Sequence, residues 1–170
     1  PDATKVKGMI LWWASLSGPM ALPGNYTVKL SANKTTLEKP FTILKNPVSE
    51  NSLADMKAQF DFINDINTKM SEIHKALINV GKVKAQIKAL KSSIKDKKKH
   101  KSLLDFADNL TKKITNIETT LYQTKSKSGQ DPLNFPIRLN NKLAHLNSLT
   151  RMGTYKPTDQ AIAFKIEITK

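Results

Sequence analysis

The chain contains no cysteine. Disulfides and thiolate-held metal sites are therefore excluded. That absence assigns no compartment, because exported proteins can also lack cysteine. Arginine is nearly absent too: Arg138 and Arg151 stand against 26 lysines. Arginine presents the planar fork that grips phosphate and guanine in two places at once, whereas lysine acts as a hydrated point charge. The formal net charge of +14 thus gives little support to a nucleic-acid surface, and nucleic acid is disfavoured as a partner. No apolar run approaches the ~20 residues of a membrane span; the longest is Gly8 to Leu16. The six glycines are scattered singly and form no phosphate-cradling loop. No basic-then-apolar leader opens the chain. It starts at Pro1 in a strand-like run and stops inside a helix-like pattern, so both ends read as cuts in a longer protein.

What is present is a long apolar stripe. Leu53, Met56, Phe60, Ile63, Ile66, Met70, Ile73, Leu77, Val80, Val83, Ile87, Leu90 and Ile94 follow one another in steps of three or four. A helix turns every ~3.6 residues, so this spacing places them on one continuous face that other helices should cover. The stripe defines an architecture and carries no chemistry.

Residues 1–46 read as β. Lys7–Ala14, with adjacent Trp12 and Trp13, predicts a strand with one indole inward. Leu22-Pro23-Gly24-Asn25 predicts a turn. Tyr26, Val28 and Leu30 alternate with polar residues, the period of a half-buried strand. Ala32-Asn33-Lys34 turns the chain into a further strand, Thr35–Leu44, in which Pro40 marks an edge or a bulge. Three strands make only part of a sandwich, and its remainder is expected upstream.

After the linker Asn46–Ser49 the pattern becomes helical. Ser49 or Ser52 can cap a first helix that reaches about Lys95, with Asp55 in its first turn and Gly81 as a potential bend. Further helices are expected over Lys101–Thr124, Pro136–Arg151 and Pro157–Lys170, with a polar loop over Lys125–Phe135. The predicted fold is α+β: terminal strands of an immunoglobulin-like segment over residues 1–46, then an antiparallel helical bundle with long helices over residues 47–170. A helical stripe left open at the C-terminal cut would also allow two copies to associate.

Catalytic chemistry is sparse. His74, His100 and His145 have no partner at metal-ligand spacing and read as structural or solvated. Asp61 with Asp65, and Asp105 with Asp108, share helix faces, where lysines such as Lys57, Lys69 and Lys112 are the natural partners. Ser92 opens an S-x-x-K tetrapeptide without its companion motifs. No catalytic residue, metal ligand or cofactor is expected.

Two groups of residues remain. Lys82, Lys84, Lys88, Lys91, Lys95, Lys97, Lys98, Lys99 and Lys101 face one acid, Asp96, over the same stretch. At a helical-hairpin tip they would project a concentrated positive field, either as a solvated helix end or as a docking patch for an anionic polymer or membrane surface. No aromatic lies among them, so bases have no stacking platform. Asn140 and Asn141 are poor helix-interior residues. With Gln130 and Arg138 they could form a buried polar network fixing the Lys125–Phe135 loop against the first two helices.

Two word patterns are more specific. One is Gly8-Met9-Ile10-Leu11-Trp12, Gly18–Leu30, then Pro40-Phe41-Thr42-Ile43 with Asn46-Pro47. The other is Leu121-Tyr122-Gln123-Thr124 followed by Ser128–Leu143. Together, over nearly the whole chain, they resemble the C-terminal region of large exported Bacteroidota proteins labelled glycosyl hydrolases with BNR or sortilin-like β-propeller repeats. The resemblance implies an upstream propeller, an immunoglobulin-like domain and then this helical region. It implies a bacterial exported location and a parent chain as the partner. The hydrolase label belongs to the propeller, so no catalytic residue carries over; any glycoside hydrolase residues lie outside this chain. The linker departs from the usual Asp-Pro-Arg, reading Asn46-Pro47-Val48.

Overall fold

The computed structural model describes residues 1–170. It is α+β: strands β1 (Gly24–Ala32) and β2 (Thr35–Ile43), then helices α1 (Leu53–Ser93), α2 (Lys101–Leu121), α3 (Leu139–Thr150) and α4 (Asp159–Ile168). A single 3-10 turn, Asp131–Leu133, interrupts the connection between α2 and α3.

Ser52 starts α1. Its hydroxyl accepts from the Asp55 amide at 3.0 Å, and the Asp55 carboxylate accepts from the Ser52 amide at 3.2 Å. This reciprocal box satisfies two donors that a helix start otherwise leaves free. The Ser52 hydroxyl also holds the Asp55 carboxyl below its ordinary pKa. α1 then runs unbroken through Gly81 for 41 residues, about 60 Å at ~1.5 Å per residue.

Its stripe is covered unevenly. Met56, Ile63, Ile66, Met70 and Leu77 are buried, but nothing after Leu77 is, and Val83 and Leu90 are exposed. The reason is the packing. α1 meets both α2 and α3, and its buried residues all lie in the half where the core sits. The Lys84–Glu118 and Lys91–Asp108 ion pairs show that the far half runs antiparallel beside α2. α4 packs on α3 and is tied to α1 by Lys165, which lies 5.0 Å over the Phe62 ring and pairs with Asp65. Burial lowers the Lys165 pKa.

The β region differs from the expectation. Lys7–Ala14 is not a strand, and the sheet has two strands instead of three. The backbone of residues 1–18 is paired mainly with side chains of the helices, so no neighbouring strand is needed to satisfy it. Trp12 is half-buried and Trp13 exposed, edge to face at 6.5 Å. β1 and β2 pair antiparallel through a two-residue turn in which Asn33 and Lys34 both take positive φ, at 47° and 65°. That is the tight-hairpin geometry whose twist matches the strands.

The hairpin packs on no helix. Its register puts Tyr26 opposite Phe41 and Leu30 opposite Leu37. With Val28 these side chains lie on one face, because alternate residues point the same way. Tyr26 and Phe41 stack at 5.8 Å, but Val28, Leu30, Leu37 and Phe41 are exposed.

The other boundaries shift by a few residues. α3 begins at Leu139 instead of Pro136, whose carbonyl accepts from Gln123 at 2.8 Å. α4 begins at Asp159, capped by the Thr158 hydroxyl. The core cluster joins Ala3, Ile66, Met70, Leu143, Ala144 and Leu146. Met70→Ala should therefore cost about 2–5 kcal/mol of unfolding free energy in denaturant titration. Leu30→Ala, on the exposed hairpin face, should change it by less than about 0.5 kcal/mol.

Candidate functional site

The polar face between α1 and α3 is the most ordered arrangement of functional groups in the molecule. Gln59, Asn67 and His74 on α1, and Asn140, Asn141 and Asn147 on α3, are all buried. Between these helices lies the strap formed by residues 1–18. Its backbone is held group by group. The Asn141 amide brackets Trp12, accepting from its N–H at 2.7 Å and donating to its carbonyl at 2.9 Å. Asn67 donates to the carbonyls of Pro1 and Ser17 at 3.1 and 3.0 Å. Asn147 donates to Ser17 at 3.1 Å and to Asn67 at 2.8 Å, linking the two helices. His145 donates to Trp13 at 2.6 Å, and the Ser71 hydroxyl accepts from the Thr4 amide at 2.9 Å. Tyr122, at the end of α2, accepts from Ile10 at 3.2 Å.

The strap closes on itself through the Ala3 amide and the Leu16 carbonyl at 2.7 Å, and through the Gly18 amide and Asp2 at 2.9 Å. The Gly18 bond holds the Asp2 carboxyl below its ordinary pKa. A side chain at Gly18 would meet the Pro1 backbone at 2.9 Å, so only glycine fits this approach.

His74 is the one titratable group buried in this face. Its Nδ1 donates to the Thr4 carbonyl at 2.5 Å, while Nε2 is buried without a partner. Burial lowers its pKa; the Thr4 bond opposes that shift. Asn140 reaches only the Met9 sulfur, at 3.3 Å.

The polar network expected around the Lys125–Phe135 loop is placed differently. Asn140 and Asn141 face the strap, whereas Gln130 and Arg138 are exposed and share no hydrogen bond with them. The Asp131 carboxylate holds that loop instead, accepting from the Lys127 and Ser128 amides at 2.5 and 3.0 Å. Those contacts, the Lys127 amide foremost, lower its pKa. The network also takes Asn67 and Asn147, which the sequence does not single out, and His74, which it offers as structural or solvated. Their signal was present: Asn67 and His74 are seven residues apart, as are Asn140 and Asn147, which places each pair on one helix face.

The lysine cluster does occupy the tip joining α1 to α2. Lys84 pairs with Glu118 and Lys91 with Asp108. Lys82, Lys88, Lys95, Lys97, Lys98, Lys99 and Lys101 are exposed. Asp96 spends an oxygen on the Lys99 amide at 3.0 Å. A cleft of about 900 Å³ lies between the helices here, lined by Lys84, Lys88, Lys91, Lys97, Asp108 and Thr111 among others. Lys57 takes Asp61 at 2.6 Å, while Asp65 faces Lys165 instead of Lys69. No three His, Asp or Glu side chains gather where they could hold a metal ion, and no helix is long and apolar enough to cross a membrane. No family model, curated protein or solved structure matches the chain.

Asn141→Ala leaves the backbone N–H and C=O of Trp12 unpaired and should cost about 2–4 kcal/mol in denaturant titration. Asn140→Ala, which loses only a contact to sulfur, should cost clearly less. His74 sets a pH response. Above its ordinary value of 6.5 the imidazole is neutral in both folded and unfolded chains. As pH falls below that value the unfolded chain takes the proton first, so folding loses stability. The melting temperature should fall between about pH 7 and about pH 5, and His74→Asn should flatten that slope.

Proposed function

We infer that this chain is a non-catalytic structural and interaction module from the C-terminal region of a large exported, glycosyl-hydrolase-like β-propeller protein. In this reading the strands are the end of an immunoglobulin-like domain. The helices are an antiparallel bundle that holds the upstream domains in place. The observation that carries it is the exposed apolar face of the β1–β2 hairpin, with Val28, Leu30, Leu37 and Phe41 uncovered. A two-stranded sheet is marginal alone and gains stability when its apolar face is covered. The edges support the same reading. Pro40 removes a donor from β2, which blunts it, whereas β1 carries no proline and can accept another strand. The identity of the parent protein rests on the resemblance of the Gly18–Leu30 and Ser128–Leu143 words.

Two measurements test it. The reading frame around these residues should encode propeller repeats and an export signal upstream; a frame beginning near Pro1 removes the parent protein from the account. The isolated chain should turn over no aryl glycoside, and turnover abolished by a point substitution within residues 1–170 would make it an enzyme.

A further inference from the structure

We propose that the α1–α2 tip docks on an anionic lipid surface. Three observations meet there. The first is charge: nine lysines from Lys82 to Lys101 face four acids in the hairpin, Asp96, Asp105, Asp108 and Glu118. Two of the nine are neutralised, by Glu118 and Asp108. Lys82, Lys88, Lys95, Lys101 and the run Lys97–Lys99 have no acidic partner. The second is an apolar edge beside them. Leu103 and Phe106 stand one turn apart at the start of α2, and Phe106 is 67% exposed, while Leu90 on α1 is 45% exposed. The third is isolation: no residue of α1 beyond Leu77 is buried, so the tip stands clear of the core and free to approach a surface.

The chemistry selects the occupant. A soluble polyanion would meet the lysines but leave Phe106 and Leu103 in water. A second copy would bring an equal excess of lysine against the first. Nucleic acid would be gripped by arginine forks and a run of stacking aromatics; the tip has no arginine, and Phe106 is its one exposed Phe, Tyr or Trp. A bilayer carrying phosphate headgroups supplies both partners at once: negative charge at the surface and an acyl boundary just beneath it. Basic residues next to Leu and Phe on an amphipathic helix are the composition that such an interface retains. Each lysine near the surface contributes about fivefold in affinity.

The test is cosedimentation of the whole chain with phosphatidylcholine vesicles containing phosphatidylglycerol, beside vesicles of phosphatidylcholine alone. Binding is expected on the anionic vesicles, falling with added salt, and not on the neutral ones. Reversal of Lys97, Lys98 and Lys99 to Glu should lower the affinity more than a hundredfold. Phe106→Ser should lower it about tenfold while leaving retention on a heparin column unchanged. All four positions are exposed, so unchanged thermal melts show that the variants still fold. Absence of binding to anionic vesicles at low salt overturns the proposal, as does equal binding to neutral ones. Vesicle affinity untouched by Phe106→Ser overturns it too, and leaves a bare polyanion site.

Discussion

Everything in the buried half of the molecule depends on one constraint: an irregular strap of backbone lies against a helical core, and its peptide groups must find partners there. A buried peptide group without a partner costs more than most side-chain contacts return. Residues 1–18 have no neighbouring strand to meet that demand. The helices meet it with amides and imidazoles in place of the leucines that an ordinary helix–helix seam would carry. Asn141 engages both backbone polar groups of Trp12, and Asn67 and Asn147 converge on Ser17. Ala3 then fits against Ile66, Met70 and Leu143 as a member of the core. The strap is part of the folding unit.

That arrangement divides the molecule by stability. Between α1, α3 and the strap, apolar burial and amide bonding act together. Beyond Leu77 on α1 only partial burial remains, assisted by ion pairs such as Lys84–Glu118, which are worth little each when solvent reaches them. The β1–β2 hairpin has no support from the helices at all. The two projecting parts differ in chemistry, one apolar and edge-competent, the other basic with an apolar margin. The firm centre gives the helical tip a fixed base, through α1.

The helices were legible in the sequence because their stripe repeats at the helical period, and Ser52 with Asp55 marks the start of α1 by ordinary capping chemistry. The β hairpin was legible in Tyr26, Val28 and Leu30 and in the turn at Asn33-Lys34. Lys7–Ala14 is not a strand although it reads as one, because an apolar run has the same composition whether a strand or side chains such as Asn141, His145 and Tyr122 complete its hydrogen bonds. The partners that decide between these lie 129 residues away for Trp12 and Asn141, beyond the reach of any local pattern. Asn140 and Asn141 stood out as polar residues in a helix interior. Asn67 did not, because the apolar stripe beside it dominates α1, and His74 stood out only as a lone histidine without a metal partner. Gln130 and Arg138 were attached to the network by nearness in sequence, and the chain turns them to solvent.

The strap belongs to the cooperative core and the hairpin does not. Native-state hydrogen exchange separates the two. The Ala3, Trp12 and Ser15 amides, which donate to Leu16, Asn141 and Ala144, should exchange only through global unfolding, at the rate of the α1 core around Met70. The β1 and β2 amides should exchange faster, through local opening. Strap amides that exchange as fast as those of the hairpin would contradict the account, because the asparagine face would then hold nothing in place.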